Sequence, residues 1–293
     1  MIYLNILRPQ HWYKNLLVFL PIIFSLNLLD AELFFLSLQG FALFCLASSG
    51  VYIINDLLDF KSDKIHPIKK HRPIASGKIS RRNASVLALI FLAVSVIGSF
   101  ALHEIFLLCI TVFISSTIIY SVIGKNFAFL DAFLISINYV VRAIAIGYVL
   151  ELQISNWLVA GIFFFALLLC FTKRKNEIVL LKTDSVSHRK SLAMYSKRVL
   201  HWSIYVSSSA LLAIYSVYAF LGSSTNNDSR LVFTIPIAII IIITYLRTTL
   251  SDQHSSKEFH EIIVTSRLLL IESAVFVISV LVLIYMIPSR FFM

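Results

Sequence analysis

The sequence predicts an all-α protein that crosses a membrane nine times. Hydrophobic residues make up 59% of its 293 positions, the mean hydropathy is +0.88, and Phe alone occurs 24 times. A soluble domain of this length does not carry so much apolar surface. The second observation is the number of apolar runs that can cross the hydrocarbon core of a bilayer, about 30 Å thick. The third is the uneven distribution of Lys and Arg among the segments that join these runs.

Each apolar run is predicted to be one transmembrane helix. The runs lie at 12–29, 33–54, 83–100, 105–122, 127–149, 157–172, 202–221, 232–249 and 268–287. The first contains Pro21 and Asn27 and could resemble a signal peptide, with Arg8 and Lys14 as its basic end. No small-residue cleavage site follows it, so we predict a first transmembrane helix there.

Positive charges predict which helix ends face the cytoplasm. With the N-terminus inside, all but three of the 25 Lys and Arg residues fall on the cytoplasmic side, as the positive-inside rule requires. The exceptions are Arg142, within a predicted helix, and Arg230 and Arg290, outside. Nine spans then place the C-terminus outside. The net charge of +10 reflects this bias, so it gives no reason to expect a nucleic-acid partner.

We expect one integral membrane domain over 1–293, with long cytoplasmic loops at 55–82 and 173–201. Both loops follow even-numbered helices, so they emerge on one face, where a central cavity is expected to open to the cytoplasm. The three cysteines lie in apolar runs without a CxxC pair, which predicts neither a disulfide framework nor a zinc site. Neither a P-loop nor a dinucleotide-binding fingerprint is present.

The first loop carries the strongest chemical signal. Asn55, Asp59 and Asp63 recur every four residues, so on a helix they share one stripe, with Asp56 about 100° around the axis from Asn55. Hard oxygen ligands in this arrangement suit Mg²⁺, which takes one or two carboxylates and bridges to substrate phosphates. The Lys and Arg residues that follow can hold phosphates that the metal does not neutralise. Positive-inside bias would explain these basic residues but not the acidic stripe beside them.

The fifth run contains a polar stripe of Asp131, Asn138 and Arg142. On a helix these residues lie within about 40° of one another, and ionisable groups at such depth usually face a bundle interior or a watered cavity. Asp131 and Arg142 are about 16 Å apart along the axis, too far to pair directly. Arg142 therefore needs another partner, either a bound phosphate or Glu272 in the last run.

These motifs resemble the intramembrane prenyltransferase superfamily of the UbiA type, and within it the decaprenyl-phosphate phosphoribosyltransferase branch. The first aspartate motif of the superfamily matches Asn55, Asp56, Asp59 and Asp63. The other matching residues, within 7–196, are Arg8, Pro9, Trp12, Lys14, Asn15, His66, Pro67, Lys69, 72–77, Asp131, 142–145, Ser155, Trp157, Lys173, Arg174, Glu177, Arg189, Leu192 and Tyr195.

The resemblance implies transfer of 5-phosphoribose from phosphoribosyl diphosphate (PRPP) to a polyprenyl phosphate, with release of diphosphate, in a bacterial inner membrane. The product would serve cell-wall or surface polysaccharide synthesis. The implied cofactor is Mg²⁺, held by Asn55, Asp56, Asp59 and Asp63. The implied catalytic residues are Asp59, Asp63, Lys69 and Arg72. The implied substrate-binding residues are Lys14, Tyr52, Lys69, Arg72, Lys125, Asp131, Arg142, Lys173, Arg174, Glu177 and Arg189.

The chain departs from the family pattern in two places. Where aromatic prenyltransferases carry a second aspartate-rich motif, it has Lys173, Arg174 and Glu177, which favours a more heavily phosphorylated donor beside one metal cluster. After about residue 200 the resemblance becomes thin. Two alternatives stay open. One is prenyl transfer from a prenyl diphosphate to an aromatic acceptor, and the other is transport of phosphorylated lipids, which needs no compact ligand stripe.

Overall fold

A computed structural model describes residues 6–65, 69–181, 192, 194–221, 229–250 and 266–286, and all regular structure within these ranges is helical. The α-helices are α1 Leu20–Phe24, α2 Ala31–Leu58, α3 Phe60–Ile65, α4 Arg81–Leu102, α5 Glu104–Val122, α6 Leu130–Val149, α7 Asn156–Leu181, α8 Lys197–Leu221, α9 Ile235–Leu250 and α10 Arg267–Tyr285. Helices of the 3₁₀ type occupy Pro9–Phe19, Lys69–His71, Gly124–Asn126 and Ser229–Thr234.

Within the described ranges, eight helical stretches are long and apolar enough to cross a membrane. They correspond to the second through ninth predicted runs, so the chain is a multi-span membrane protein. The first run, at 12–29, is different. It forms the 3₁₀ helix Pro9–Phe19, then the five-residue α1, and the chain then turns at Leu26, which has a φ of 66°. The predicted count of nine transmembrane α-helices is therefore not confirmed for this first segment.

Contacts with α2 hold the unusually long 3₁₀ helix in place. Runs of more than three or four residues are uncommon because the hydrogen bonds are poorly aligned, and residues three apart eclipse one another. Trp12, Asn15 and Val18 therefore share a face. Trp12 Nε1 donates to Ser49 Oγ at 3.2 Å, Asn15 Nδ2 donates to Cys45 Sγ at 3.2 Å, and Val18 is completely buried. These contacts offset the weak internal bonds of the segment.

Helix ends differ from the ends of the apolar runs. The helix α2 continues to Leu58, through the start of the first predicted loop, and α7 continues to Leu181, through the start of the second. After the run at 157–172, Lys173, Arg174 and Lys175 are good helix formers, so α7 extends beyond the hydrophobic stretch. After the run at 33–54, the poorer helix formers Asn55 and Asp56 come before Leu57 and Leu58, so propensity alone does not explain the extension of α2. Hydropathy therefore predicts the part of each helix that crosses the bilayer, but it does not predict the residue at which the helix ends.

The chain divides into two compact units, residues 1–152 and 153–293. In the first, α2 packs along α4 and α5 packs along α6, around a core that includes Phe44, Phe106 and Phe113. In the second, α7 packs along α8, and α9 packs against α10. Large hydrophobic side chains remain exposed on several of these helices, as expected for surfaces that face lipid. The single domain over 1–293 stays a prediction.

A close approach of α2 to α4 depends on Gly50. A Cβ atom there would lie 2.7 Å from Leu92 Cγ and 3.3 Å from the Ala88 carbonyl oxygen. We expect Gly50→Leu to lower the free energy of unfolding by about 2 kcal/mol, because overpacking forces the helices apart. Thermal unfolding in detergent measures this. The control is Gly161→Ala, whose added Cβ would meet only Ile214, at 3.7 Å. Equal unfolding midpoints for the two variants would contradict the packing argument.

Candidate functional site

The acidic motif lies where α2 passes into α3. The Asp59 amide donates to the Asn55 carbonyl at 2.9 Å, and the Asp63 amide donates to the Asp59 carbonyl at 2.8 Å. These bonds keep the helical spacing across the junction. Asn55 Nδ2 donates to Asp59 Oδ2 at 3.1 Å, so these two side chains share a face.

Arg72 joins the two most buried carboxylates of the motif. Its Nη1 atom donates to Asp56 Oδ1 at 3.0 Å and to Asp63 Oδ2 at 2.7 Å. Both aspartate side chains are 3% exposed, and Arg72 is 24% exposed. Burial raises the pKa of Asp63, and the neighbouring Arg72 and Lys69 oppose that rise. Arg72 therefore compensates part of the free-energy cost of burying Asp63.

Two further cations come from distant parts of the chain. Arg8 Nη2 donates to Asp56 Oδ1 at 2.5 Å, and its guanidinium carbon lies 5.6 Å from the centroid of the Tyr52 ring. Lys125 Nζ, in the turn between α5 and α6, donates to Asp59 Oδ1 at 2.5 Å. Sequence reasoning did not place Arg8 in the site. The available signal was its position before Pro9, within one of the matching motifs.

The donor atoms of the motif fit Mg²⁺ in type, because Asn55, Asp56, Asp59 and Asp63 all offer hard oxygens. Among the residues that the structure describes, no group of three or more His, Cys, Asp or Glu side chains is close enough to share a metal ion. Arg8, Arg72 and Lys125 contact the carboxylate oxygens that a metal would use. A metal ion and these cations would therefore compete for the same atoms.

Lys125→Met tests this competition. Removing the ammonium group frees Asp59, so we expect Mg²⁺ to bind about threefold to fivefold more tightly, the range set by a partly exposed ion pair. The measurement is the Mg²⁺ dependence of the thermal unfolding midpoint. Lys78→Met removes an exposed lysine from the segment between α3 and α4 and should leave Mg²⁺ affinity unchanged. Unchanged Mg²⁺ affinity in Lys125→Met would show that Lys125 and the metal do not compete.

Arg142 lies in a buried polar network within the first unit, with 4% of its surface exposed. Its Nε atom donates to Asn15 Oδ1 at 2.8 Å, and its Nη1 atom donates to the Asn138 carbonyl at 2.8 Å. The guanidinium carbon lies 4.3 Å from the centroid of the Phe113 ring. Ser48 Oγ also donates to Asn15 Oδ1, at 3.3 Å. Asn15 thus joins the 3₁₀ helix to both α2 and α6.

Two other predicted residues of the first unit lie at the start of α6 and in the 3₁₀ helix Pro9–Phe19. Asp131 is completely buried at the start of α6 and accepts a hydrogen bond from the Ala132 amide at 2.7 Å. Its position suits the partial positive charge of a helix N-terminus. Lys14 is half-buried, with Nζ 5.7 Å from the centroid of the Tyr13 ring.

In the second unit, the predicted residues Lys173, Arg174 and Glu177 lie on α7 rather than in a loop. Lys173 is exposed, whereas Arg174 is 1% exposed and donates to Glu177 at 2.5 Å. Arg189 lies outside the described residues, as do the His66 and Pro67 of the resemblance. Glu272 on α10 accepts a hydrogen bond from Thr244, at 3.0 Å.

Comparison with known proteins identifies the family. The sequence matches the model of the UbiA prenyltransferase family over residues 18–269. The chain belongs to the UbiA prenyltransferase family. It is 30% identical over 224 residues to a decaprenyl-phosphate phosphoribosyltransferase of Mycolicibacterium smegmatis, a match that covers 75% of this chain and 70% of that protein. It is 29% identical over 240 residues to a protein of the same name from Mycobacterium tuberculosis, with 80% of each covered.

A solved structure shows the same fold as this UbiA-family chain. A UbiA homologue from Archaeoglobus fulgidus, bound to GPP and Mg²⁺, aligns with a TM-score of 0.73 at 19% sequence identity, covering 97% of this chain and 99% of that chain. The all-α, UbiA-like fold predicted from the sequence is therefore confirmed. The family match also continues well past residue 200, where the likeness of individual motifs becomes thin. As a member of this family, the chain is a transferase of the prenyltransferase type.

Proposed function

We propose that this UbiA-family protein transfers 5-phosphoribose from PRPP to a polyprenyl phosphate and releases diphosphate. One observation carries the proposal: in the part of the chain that the structure describes, cations surround the carboxylates of Asp56, Asp59 and Asp63, while α7 carries Lys173, Arg174 and Glu177 in place of a second aspartate-rich motif. That charge pattern suits a donor with three phosphate groups better than a prenyl diphosphate. Relatives named decaprenyl-phosphate phosphoribosyltransferase support the same assignment.

We assign Asn55 and Asp59 as ligands of Mg²⁺, with Asp56 and Asp63 as further ligands or holders of its water. Bound Mg²⁺ would supply positive charge to the departing diphosphate. The A. fulgidus homologue was bound to Mg²⁺, which makes this the first metal to test. Asn55 keeps the Asp59 carboxylate oriented through the bond from its amide, as a group that positions a ligand does.

The cations of the site are assigned to the donor's phosphates. Arg72 and Lys125 already lie on the carboxylate cluster, so a phosphate that enters the site meets charge-assisted hydrogen-bond donors at once. The residues assigned to the donor's phosphates are Lys69, Arg72, Lys125, Lys173, Arg174 and Arg189. Glu177 orients Arg174 through their ion pair.

The acceptor needs charge compensation rather than a base. A lipid phosphate is already an anionic nucleophile, but it must approach a polyanionic donor, and cations lower that repulsion. We assign this charge compensation to Lys14 and Arg142, and we assign the neutral Tyr52 to guiding the acceptor phosphate. Asp131 is assigned to substrate binding as well. An acceptor oxygen forms a bond to the anomeric carbon as the bond to diphosphate breaks, and the electron pair leaves with diphosphate. Displacement from the opposite face inverts the anomeric centre.

We also infer a bacterial inner membrane as the location, with the N-terminus in the cytoplasm and the C-terminus outside. PRPP is a cytoplasmic metabolite. Arg8, Arg72 and Lys125, which contact the carboxylate cluster, lie in segments that the positive-inside rule assigns to the cytoplasmic side. The phosphoribosyl lipid would then be available for cell-wall or surface polysaccharide synthesis.

Membranes that contain the protein provide the direct test. They are incubated with Mg²⁺, a polyprenyl phosphate and PRPP labelled in the ribose, and label is counted in the organic extract. We expect label in the lipid only when both the protein and the polyprenyl phosphate are present. Absence of lipid label with several chain lengths, despite folded protein, would overturn the proposal. Label transferred from a prenyl diphosphate to an aromatic acceptor would establish the alternative reaction.

A further inference from the structure

A small cavity lies among the ends of three helices in the unit formed by residues 153–293. Its volume is about 120 Å³, and it is lined by three basic residues together with apolar ones. The basic residues are Lys175 near the end of α7 and Lys197 and His201 at the start of α8. The proposed transfer reaction uses none of these three side chains. The cavity is therefore a separate feature of the molecule that needs its own explanation.

The start of α8 concentrates positive charge. Lys197 is the first residue of this helix and His201 follows one turn later, so both lie on one face. The first turn contains no acidic residue, although a helix N-terminus carries partial positive charge and favours anions. Positive-inside bias explains basic residues at a cytoplasmic helix end. It does not explain why two of them line one cavity with a third from another helix.

Lys175 supplies the third basic group from a fixed position. The residue is 4% exposed, and its Nζ atom donates to the Thr249 carbonyl at 2.8 Å, near the C-terminal end of α9. This bond ties the side chain to the third helix of the cavity. A buried ammonium group at the wall contributes more to anion binding than an exposed one, because solvent screens it less.

The size and the remaining lining restrict the ligand. The cavity volume of about 120 Å³ is well above the roughly 10–15 Å³ that a single water molecule needs, so the cavity has room for a tetrahedral phosphate group. Ile178, Leu200 and Leu250 form apolar parts of the wall, which suits an apolar chain attached to the phosphate.

We propose that this cavity is a binding site for a single phosphate group, supplied either by the headgroup of an anionic lipid or by free phosphate. The phosphate contacts Lys197 and His201 at the positive start of α8, and the charge of Lys175 in the cavity lining adds to the attraction. The site does not depend on the proposed transfer reaction, so failure of that reaction leaves it unaffected.

The test uses the full-length chain in phosphatidylcholine nanodiscs at constant ionic strength. The thermal unfolding midpoint is recorded against added inorganic phosphate and, separately, against the fraction of phosphatidic acid in the nanodisc. We expect saturable stabilisation by at least one probe. Lys197→Gln and His201→Gln should each weaken the apparent affinity about fivefold or more, the loss expected for a hydrogen bond to a charged group. Stabilisation by inorganic phosphate identifies free phosphate as sufficient, and stabilisation by phosphatidic acid alone identifies a lipid headgroup.

Arg198→Gln is the matched control, because Arg198 is the exposed neighbour of Lys197 and does not line the cavity. It removes the same charge from the same turn and should keep wild-type affinity. Equal weakening by Arg198→Gln and Lys197→Gln would overturn the site in favour of general charge attraction. Absence of saturable stabilisation by either probe would also overturn it. Lys175 is left intact in these variants because it also holds the end of α9.

Discussion

Asp59→Asn is expected to reduce phosphoribosyl transfer about a thousandfold while the protein stays folded. The substitution keeps the shape of the side chain and removes the charge that would hold Mg²⁺ beside the leaving diphosphate. Loss of one preorganised electrostatic contact to a transition state typically reduces the rate 10²-fold to 10³-fold. We expect the upper end of that range because Asp59→Asn removes a full negative charge. The fold should tolerate the change, because Asp59 and its partner Lys125 are 20% and 27% exposed and such pairs contribute little stability.

The measurement is the initial rate at which ribose label enters the lipid. Glu32→Gln serves as the control, since Glu32 is an exposed acidic residue at the opposite end of the same helix, α2. It should transfer label at the wild-type rate. A rate for Asp59→Asn above a tenth of the wild-type rate would remove Asp59 from the metal site.

Arg72→Met is expected to lower the free energy of unfolding by about 3 kcal/mol. Arg72 bridges Asp56 and Asp63, whose side chains are 3% exposed, so its removal leaves buried carboxylate charge with less compensation. Loss of one partner from a buried ion pair typically costs about 3–5 kcal/mol, and the partial exposure of Arg72 places this case at the lower end. Asp56 keeps its contact with Arg8, so most of the loss falls on Asp63. Denaturant titration in detergent provides the measurement.

Two further variants separate this mechanism from a general effect of losing positive charge. Lys70→Met removes an exposed lysine from the short 3₁₀ helix Lys69–His71, directly before Arg72, and should leave stability unchanged. The double variant Arg72→Met with Asp63→Asn removes both partners, so about half of the lost stability should return. No recovery in the double variant would show that Arg72 stabilises the loop by packing rather than by charge.

The sequence predicts the helical spacing of the carboxylate motif because this spacing is a local property. Asn55, Asp59 and Asp63 are four residues apart, and the backbone hydrogen bonds of the structure keep that spacing across the end of α2. The eight later transmembrane helices are equally local, since each is a long apolar run. Helical periodicity and hydropathy are therefore nearly sufficient to predict such features.

The partners of the carboxylates could not be predicted from the sequence. Arg8 and Lys125 are 48 and 66 residues away from the aspartates that they contact, so only the packing of the helices brings them together. The 3₁₀ form of Pro9–Phe19 was missed for a related reason. An apolar run has no property that separates a 3₁₀ helix from an α-helix, and this one depends on contacts that Trp12 and Asn15 make with α2.

The hydrogen bond between Asn15 and Arg142 has a consequence for the order in which the chain is built into the bilayer. A lone arginine at the middle of a membrane helix costs about 2.5–3.5 kcal/mol on translocon-based scales. Synthesis runs from the N-terminus, so Asn15 and Ser48 leave the ribosome long before Arg142 does. The amide oxygen that accepts from Arg142 Nε can thus already be in the membrane when α6 arrives. The earlier segments of the nascent chain would thus provide a hydrogen-bond acceptor for Arg142 while α6 enters the bilayer. Asn15→Leu would therefore make membrane insertion of α6 less efficient, although the sequence of α6 is unchanged.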